Sequence, residues 1–264
     1  MLVQARAKIN LSLCVTGRRE DGYHLLDTLM HTVSLCDDIE LQPANNLMLS
    51  GDLAGAPGEK NLAFRAARLL QDATGCETGA HIALTKRIPA GAGLGGGSAD
   101  AAAVLVGLNA LWGTGLSDTA LAQLGLALGA DVPFLLRGGF ARATGVGEVL
   151  QPLPPLHGQV LLAMGPTPLA TPAVYAAFAA GRPPMWSGSA GADPGISASW
   201  RNDLTEAACS LSGEVTQGMA LIAPGAKVCL MTGSGACVYA WFPDGGARLP
   251  ALPEGWWGTV CELC

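Results

Sequence analysis

Strands and helices in mixture, arranged in two parts that meet near Gln151, are what the pattern of this sequence predicts. Alternating polar and apolar residues recur at 3–16, 28–42 and 81–88, the period of a strand with one buried face. Apolar residues return at helical spacing at 61–73, 98–111 and 117–128. Near Gln151 the texture changes: Pro152, Pro154 and Pro155 punctuate the chain, and a fresh strand pattern starts at 160–164. Two domains are therefore expected, 1–151 and 152–264.

Each element has a local reason. The first strand alternates through Lys8, Ile9, Asn10, Leu11, Ser12 and Leu13 and turns at Thr16-Gly17. The segment 28–42 reads as a strand pair broken at Asp37-Asp38, since two carboxylates interrupt the apolar pattern. The helix at 61–73 sets Leu62, Ala66, Leu69 and Leu70 on one face. Ser98 is placed to cap the next helix, and Ser117 caps a third that Gly129 stops. Residues 182–199 are rich in Gly, Ser, Ala and Pro and read as a long surface loop or a partly disordered stretch. After them come a helix around 203–222, a strand at 227–232, a turn at Thr232-Gly233-Ser234-Gly235 and a terminal strand near 257–263.

The bulk numbers narrow the function classes. Of 264 residues, 50% are apolar and 14% charged, enough apolar surface for real cores and too much for general disorder. The formal charge is −6, and the closest basic groups are Arg18-Arg19 and Lys86-Arg87. A nucleic-acid reader carries a basic stripe, so no nucleic-acid partner is expected. The start, Met1 to Lys8, lacks the apolar core of a signal peptide. The longest apolar stretch, 101–112, is shorter than the roughly 20 residues that span a bilayer. No membrane association and a cytoplasmic location are expected. Most of the eight cysteines sit singly in apolar runs and read as buried thiols; Cys261 and Cys264 lack the second ligand pair that zinc needs. No feature of the sequence fixes an oligomeric state.

The segment Pro89-Ala90-Gly91-Ala92-Gly93-Leu94-Gly95-Gly96-Gly97-Ser98-Ala99 joins a predicted strand to a predicted helix. Its glycines let the backbone adopt positive φ and approach a ligand closely. The loop ends at a helix N-terminus, whose N–H groups and dipole favour an anion, and phosphate is the natural occupant. A Walker A loop would need a lysine that is not there. A dinucleotide fingerprint fits Gly91, Gly93 and Gly96, but no second strand ending in an acidic residue follows soon. The remaining readings are a phosphate loop of another kind and a plain tight turn.

Three segments together decide among these. Ala7-Lys8-Ile9-Asn10-Leu11, the glycine loop, and Met231-Thr232-Gly233-Ser234-Gly235-Ala236-Cys237 resemble, in order and spacing, the motifs of the GHMP small-molecule kinases. The runs at 16–29, with Gly22-Tyr23-His24, at 128–134, and at Gly145-Val146-Gly147-Glu148 are similar to one branch of that family. The branch phosphorylates a hydroxyl of a cytidine-diphosphate-linked methylerythritol, in the non-mevalonate route to isoprenoid precursors.

The resemblance implies an α+β fold in two lobes, an N-terminal ribosomal-S5-like lobe and a C-terminal ferredoxin-like lobe. It implies ATP with Mg²⁺ as the phosphoryl source. It assigns Asp131 as the base that takes the proton of the acceptor hydroxyl and Lys8 as the cation that holds the resulting anion. ATP would be held by the glycine loop from Pro89 to Ala99, with Asn61 and Leu62 on the adenine side and Lys86 near the phosphates. Asn61 reads equally as a helix cap. Asn10, Tyr23, His24 and Tyr175 would form the cytidine pocket, Tyr23 and Tyr175 offering ring faces and His24 and Asn10 hydrogen bonds. Ser98 could cap its helix or touch Mg²⁺, and Asp100 would repel phosphate unless it faces away. Asn202-Asp203 also matches the family, without a role. Another kinase of the family and a silent nucleotide-binding regulator are the alternatives.

Overall fold

A computed structural model describes residues 1–53, 58–181, 195 and 197–264. The contacts divide the chain into two compact units, neither continuous in sequence: Met1–Ala7, Leu35–Ala90 and Gly95–Gly138 form the first, and Lys8–Ser34, Gly91–Leu94 and Gly139–Cys264 the second. The chain passes from one to the other within two long strands, β1 (Leu2–Arg18) and β2 (His24–Ala44).

In the first unit, β4 (Gly79–Thr85) lies between the end of β2 and β3 (Met48–Gly51). It pairs antiparallel with β2, from Asp38 opposite Thr85 to Ala44 opposite Gly79, and parallel with β3. Four helices complete the unit: α1 (Leu62–Thr74), α2 (Gly96–Trp112), α3 (Asp118–Leu128) and α4 (Val132–Arg137). Helix α2 is apolar on nearly every side because it is buried on nearly every side, with Ala99, Ala101, Ala102, Val104, Leu105 and Leu108 all enclosed. Gly107 lets it lie close to the sheet, since a Cβ there would run into Leu41.

The second unit holds two antiparallel arrangements. The first half of β2 pairs with β5 (Phe140–Gly145), which turns back into β6 (Val149–Pro152). Strands β7 (Gln159–Met164), β8 (Val228–Met231), β9 (Val238–Phe242) and β10 (Trp257–Glu262) form a separate sheet in the order β10-β7-β9-β8. Helices α5 (Thr171–Gly181), α6 (Thr205–Leu211) and α7 (Gly213–Ile222) belong to the same unit. Its core joins sheet residues Leu161, Ala163, Val238 and Ala240 to helix residues Val174, Phe178, Ala208 and Val215. The neutral ring of His31 is fully enclosed and stacks on Phe140 at 5.3 Å.

Several local expectations are corrected. β2 does not break at Asp37-Asp38. The Asp37 carboxylate accepts the N–H groups of Arg87 and Ile88 at 2.5 and 2.8 Å, and Asp38 pairs with the Arg87 guanidinium, so the acids are satisfied in place. Ser98 does not cap α2. Gly95, at φ +73°, is the cap residue, and the helix starts two residues earlier than the serine. The helix expected at 203–222 is two helices, parted at Ser212, whose backbone is extended and whose hydroxyl accepts the Glu214 N–H. Of the loop expected at 182–199, residues 182–194 and 196 lie outside the described residues, and Ser197–Ser199 form a 3₁₀ turn. Among the described residues, no helix is long and apolar enough to cross a membrane, and no disulfide joins the cysteines.

Candidate active site

The first unit holds most of the residues expected on the nucleotide side, with Gly91–Leu94 of the glycine loop in the second. Helix α2 opens at Gly96, and its N-terminus has no side chain capping it, so its first N–H groups are open to an anion. Asn61 caps α1, accepting the Ala63 N–H at 2.9 Å. The two helix starts lie together, since a Cβ on Gly97 would sit 3.4 Å from Leu62. Ser98, in the first turn of α2, faces the turn before α4, where a Cβ on Gly129 would meet its hydroxyl at 3.7 Å. Asp131 follows that turn, half-buried, and its carbonyl accepts the Leu135 N–H at the start of α4.

Behind this surface lies a charged cluster. Lys86 forms ion pairs with Asp37 on β2 and Asp100 on α2, and both acids are buried. Asp100 therefore faces inward, away from the loop surface. Burial pushes its carboxyl up from the usual 3.8 to about 7, an effect that the Lys86 ammonium opposes. Its second oxygen is enclosed without a hydrogen-bond partner. Lys86 does stand close to the glycine loop, 3.6 Å from where a Cβ on Gly96 would be.

The second unit gathers the residues expected on the acceptor side. Lys8 is buried at 4% exposure, and its ammonium donates to Asn10 Oδ1 at 2.7 Å. The orientation of the Asn10 amide follows from proton accounting. Thr28 donates its hydroxyl proton to the Ser12 carbonyl at 2.7 Å, so it can only accept from Asn10. That fixes Nδ2 toward Thr28 and Oδ1 toward Lys8. The Lys8 N–H donates to the Leu94 carbonyl at 3.0 Å, which ties β1 to the first half of the glycine loop.

That half-loop approaches the C-terminal glycine turn. A Cβ on Gly93 would lie 2.7 Å from the Thr232 carbonyl oxygen, and both Gly93 and Gly233 have positive φ. The Cys237 N–H donates to the Ala92 carbonyl at 3.3 Å. Near the start of β2, the His24 ring stacks on Tyr175 of α5 at 4.7 Å and 26°, with Phe178 edge-on at 6.2 Å. Tyr23 is exposed beside them. Burial, helped by the charge of Arg18, lowers the His24 pKa below its usual 6.5, so the ring is neutral at pH 7.

A family model for the GHMP kinases N terminal domain matches residues 61–139, which carry the glycine loop and Asp131. The 4-diphosphocytidyl-2-C-methyl-D-erythritol kinase of Verminephrobacter eiseniae is 41% identical over 280 residues, covering 98% of this chain and 92% of that one. The enzyme of the same name from Paramagnetospirillum magneticum is 42% identical and covers 99% of this chain and 98% of its own. The chain belongs to the 4-diphosphocytidyl-2-C-methyl-D-erythritol kinase family. A crystal structure of 4-(cytidine 5'-diphospho)-2C-methyl-D-erythritol kinase superposes with a TM-score of 0.82 at 36% identity, covering 99% of both chains. The protein is thus a small-molecule kinase with the two-sheet α+β fold of the GHMP kinases.

Four polar side chains touch the expected site residues in ways that the sequence does not indicate. Thr28 orients Asn10, the Thr232 hydroxyl accepts the Asn10 N–H at 2.7 Å, Asp37 holds Lys86, and Asn202 binds the carbonyls of Met231 and Gly233. The sequence singles out Thr232, in a turn expected to close the site, and Asn202, without a role. Asp37 reads in the sequence only as a strand break, and Thr28 only as part of the 16–29 run, so neither is linked there to Lys86 or Asn10.

Proposed function

We propose that this kinase transfers the γ-phosphoryl group of ATP to a hydroxyl of 4-diphosphocytidyl-2-C-methyl-D-erythritol. The observation that carries the choice of acceptor is the aromatic group of the second unit. A pyrimidine needs a flat face to stack on and a neutral donor–acceptor pair for its edge. Tyr23 and Tyr175 supply ring faces, and the neutral His24 ring beside them supplies a polar edge.

The chemistry follows from the residues. The glycine loop and the α2 N-terminus hold phosphate oxygens through backbone N–H groups. Lys86 has a third ammonium proton to offer them beyond the two it gives to Asp37 and Asp100. Asp131 accepts the proton of the attacking hydroxyl, and Lys8 stabilises the negative charge that develops on that oxygen. Among the described residues no group of three His, Cys, Asp or Glu could cage a metal. Mg²⁺ would arrive on the triphosphate, and the Ser98 hydroxyl in the first turn of α2 would be the protein's donor to it. When bound, the ion neutralises charge on the phosphate oxygens. The rest of the catalysis is positioning.

ADP release, measured with ATP, Mg²⁺ and a panel of alcohols, tests the assignment. Turnover is expected with the cytidyl substrate and not with mevalonate, homoserine or galactose. Turnover with one of those and none with the cytidyl compound would overturn it.

A further inference from the structure

We propose that Thr232 and Asn202 are positioning residues for Lys8, acting through Asn10. The inference rests on the reading of Lys8 as the group that stabilises the developing anion. It adds a closed circuit of hydrogen bonds within the second unit.

The circuit starts at the lysine. Its ammonium is aimed by Asn10 Oδ1, so its position depends on where Asn10 sits. The Asn10 side chain is fixed by Thr28, and its backbone N–H, which points away from β1, donates to Thr232 Oγ1 at 2.7 Å. Asn10 is 4% exposed and Thr232 fully enclosed, so no water can replace that acceptor. Thr232 is itself held on both sides. Asn202 Nδ2 donates to the Met231 carbonyl and to the Gly233 carbonyl, each at 2.8 Å. Those are the two neighbours of Thr232 in the chain, and one amide spends both its protons on them. Asn202 Oδ1 accepts the Leu204 N–H at 3.0 Å, which fixes the amide's orientation.

Asn202 is in turn stitched to β1. Leu13 donates to the Arg201 carbonyl at 2.7 Å and accepts from the Asp203 N–H at 2.9 Å, with Leu13 and Asn202 paired in parallel. The Val15 N–H adds a bond to the Asp203 carboxylate at 2.9 Å. The strand that carries Lys8 therefore anchors Asn202, Asn202 shapes the turn, and the turn returns a hydroxyl to the same strand two residues from Lys8. A hydroxyl is required at 232 because the partner is a buried donor. A valine there would keep the shape and remove the acceptor.

The test compares Thr232→Val, Thr232→Ala and Thr232→Ser, each also made with Lys8→Ala. Thr232→Val and Thr232→Ala are expected to lower kcat by between about tenfold and a hundredfold, the range for small misplacements of a reacting group, with little change in KM for ATP. Thr232→Ser is expected to restore kcat. In the Lys8→Ala background the Thr232→Val loss should vanish, since nothing is left to position. Thermal melting identifies the folded variants, and Thr232→Ala serves if Thr232→Val does not fold. Asn202→Ala should show the same non-additivity with Lys8→Ala. If Lys8→Ala is impaired while folded Thr232→Val or Thr232→Ala keeps normal kcat, or if the losses multiply, the positioning role is overturned. If Lys8→Ala itself turns over normally, the reading of Lys8 has failed instead.

Discussion

Two polar clusters, one around Lys86 in the first unit and one around Asn10 in the second, are held by different physics. In the first, the groups behind the α2 N-terminus are fixed by charge: Lys86 lies between two buried carboxylates. In the second, the Lys8 ammonium donates to the neutral Asn10 amide, which is itself held by the Thr28 and Thr232 hydroxyls. An ionic cluster carries a large desolvation cost and responds to protons. A neutral network, once satisfied, holds geometry with little response to pH. The contrast suits the roles proposed above: phosphates would be met mainly by backbone N–H groups, whereas a cation facing a developing anion would have to be placed accurately.

The largest effect is expected at Asp131. Asp131→Asn should lower kcat by roughly 10²–10⁴-fold, the usual contribution of a general base, while calorimetry still detects ATP binding. Normal turnover would remove Asp131 as the base. Next comes the ionic cluster. Lys86→Met leaves Asp37 and Asp100 facing each other without a cation and should cost about 3–5 kcal/mol in urea melts at pH 8. The cost should shrink at pH 5, where Asp100 takes a proton. A small loss that ignores pH would erase the contrast between the units.

Acid titration sharpens the comparison further, because each unit has one buried group working in the opposite direction. Asp100 is raised from 3.8 to about 7, so the folded chain holds a proton that the unfolded chain releases. Its stabilisation is full below pH 3.8 and is lost as pH rises through about 7. His31 is lowered from 6.5 by burial; its Nδ1–H meets the Thr32 carbonyl at 2.8 Å, and Nε2 accepts the Leu156 N–H at 3.3 Å. That tautomer has no place for a second proton. Stability from His31 is present above pH 6.5 and is lost as pH falls below it. In urea midpoints against pH, Asp100→Asn should abolish the loss on the way up and His31→Asn the loss on the way down. Unchanged pH slopes in both variants would contradict both assignments. The smallest effect is local: Asn61→Ala should cost about 1 kcal/mol through its lost helix cap, read by the same melts.

How much of this was legible in the sequence depended on distance along the chain. The glycine loop, the Asn61 and Ser117 caps and the stop at Gly129 follow from neighbours within one turn. The break expected at Asp37-Asp38 failed because the partner of Asp37 lies 49 residues away at Lys86. Asn202 had no readable role because the carbonyls it binds are 29 and 31 residues further on. Ser98 was a reasonable cap by residue type, but Gly95 can take the left-handed conformation that starts the helix sooner. Lys86 was expected near the phosphates, yet the acids that hold it, one on β2 and one on α2, meet only in the folded unit.

The cluster around Lys86 also has an electrical consequence. With two carboxylates on one ammonium, and one of them titrating near neutrality, its net charge stays between zero and minus one. It contributes no long-range pull on a polyanion. In the role proposed above, what would meet the triphosphate is a row of peptide dipoles at the start of α2, whose field dies away within a helical turn. Added salt screens charges that act across about 10 Å, and it has little to screen here. On the proposed reading of the loop, this cluster should add little salt dependence to nucleotide capture.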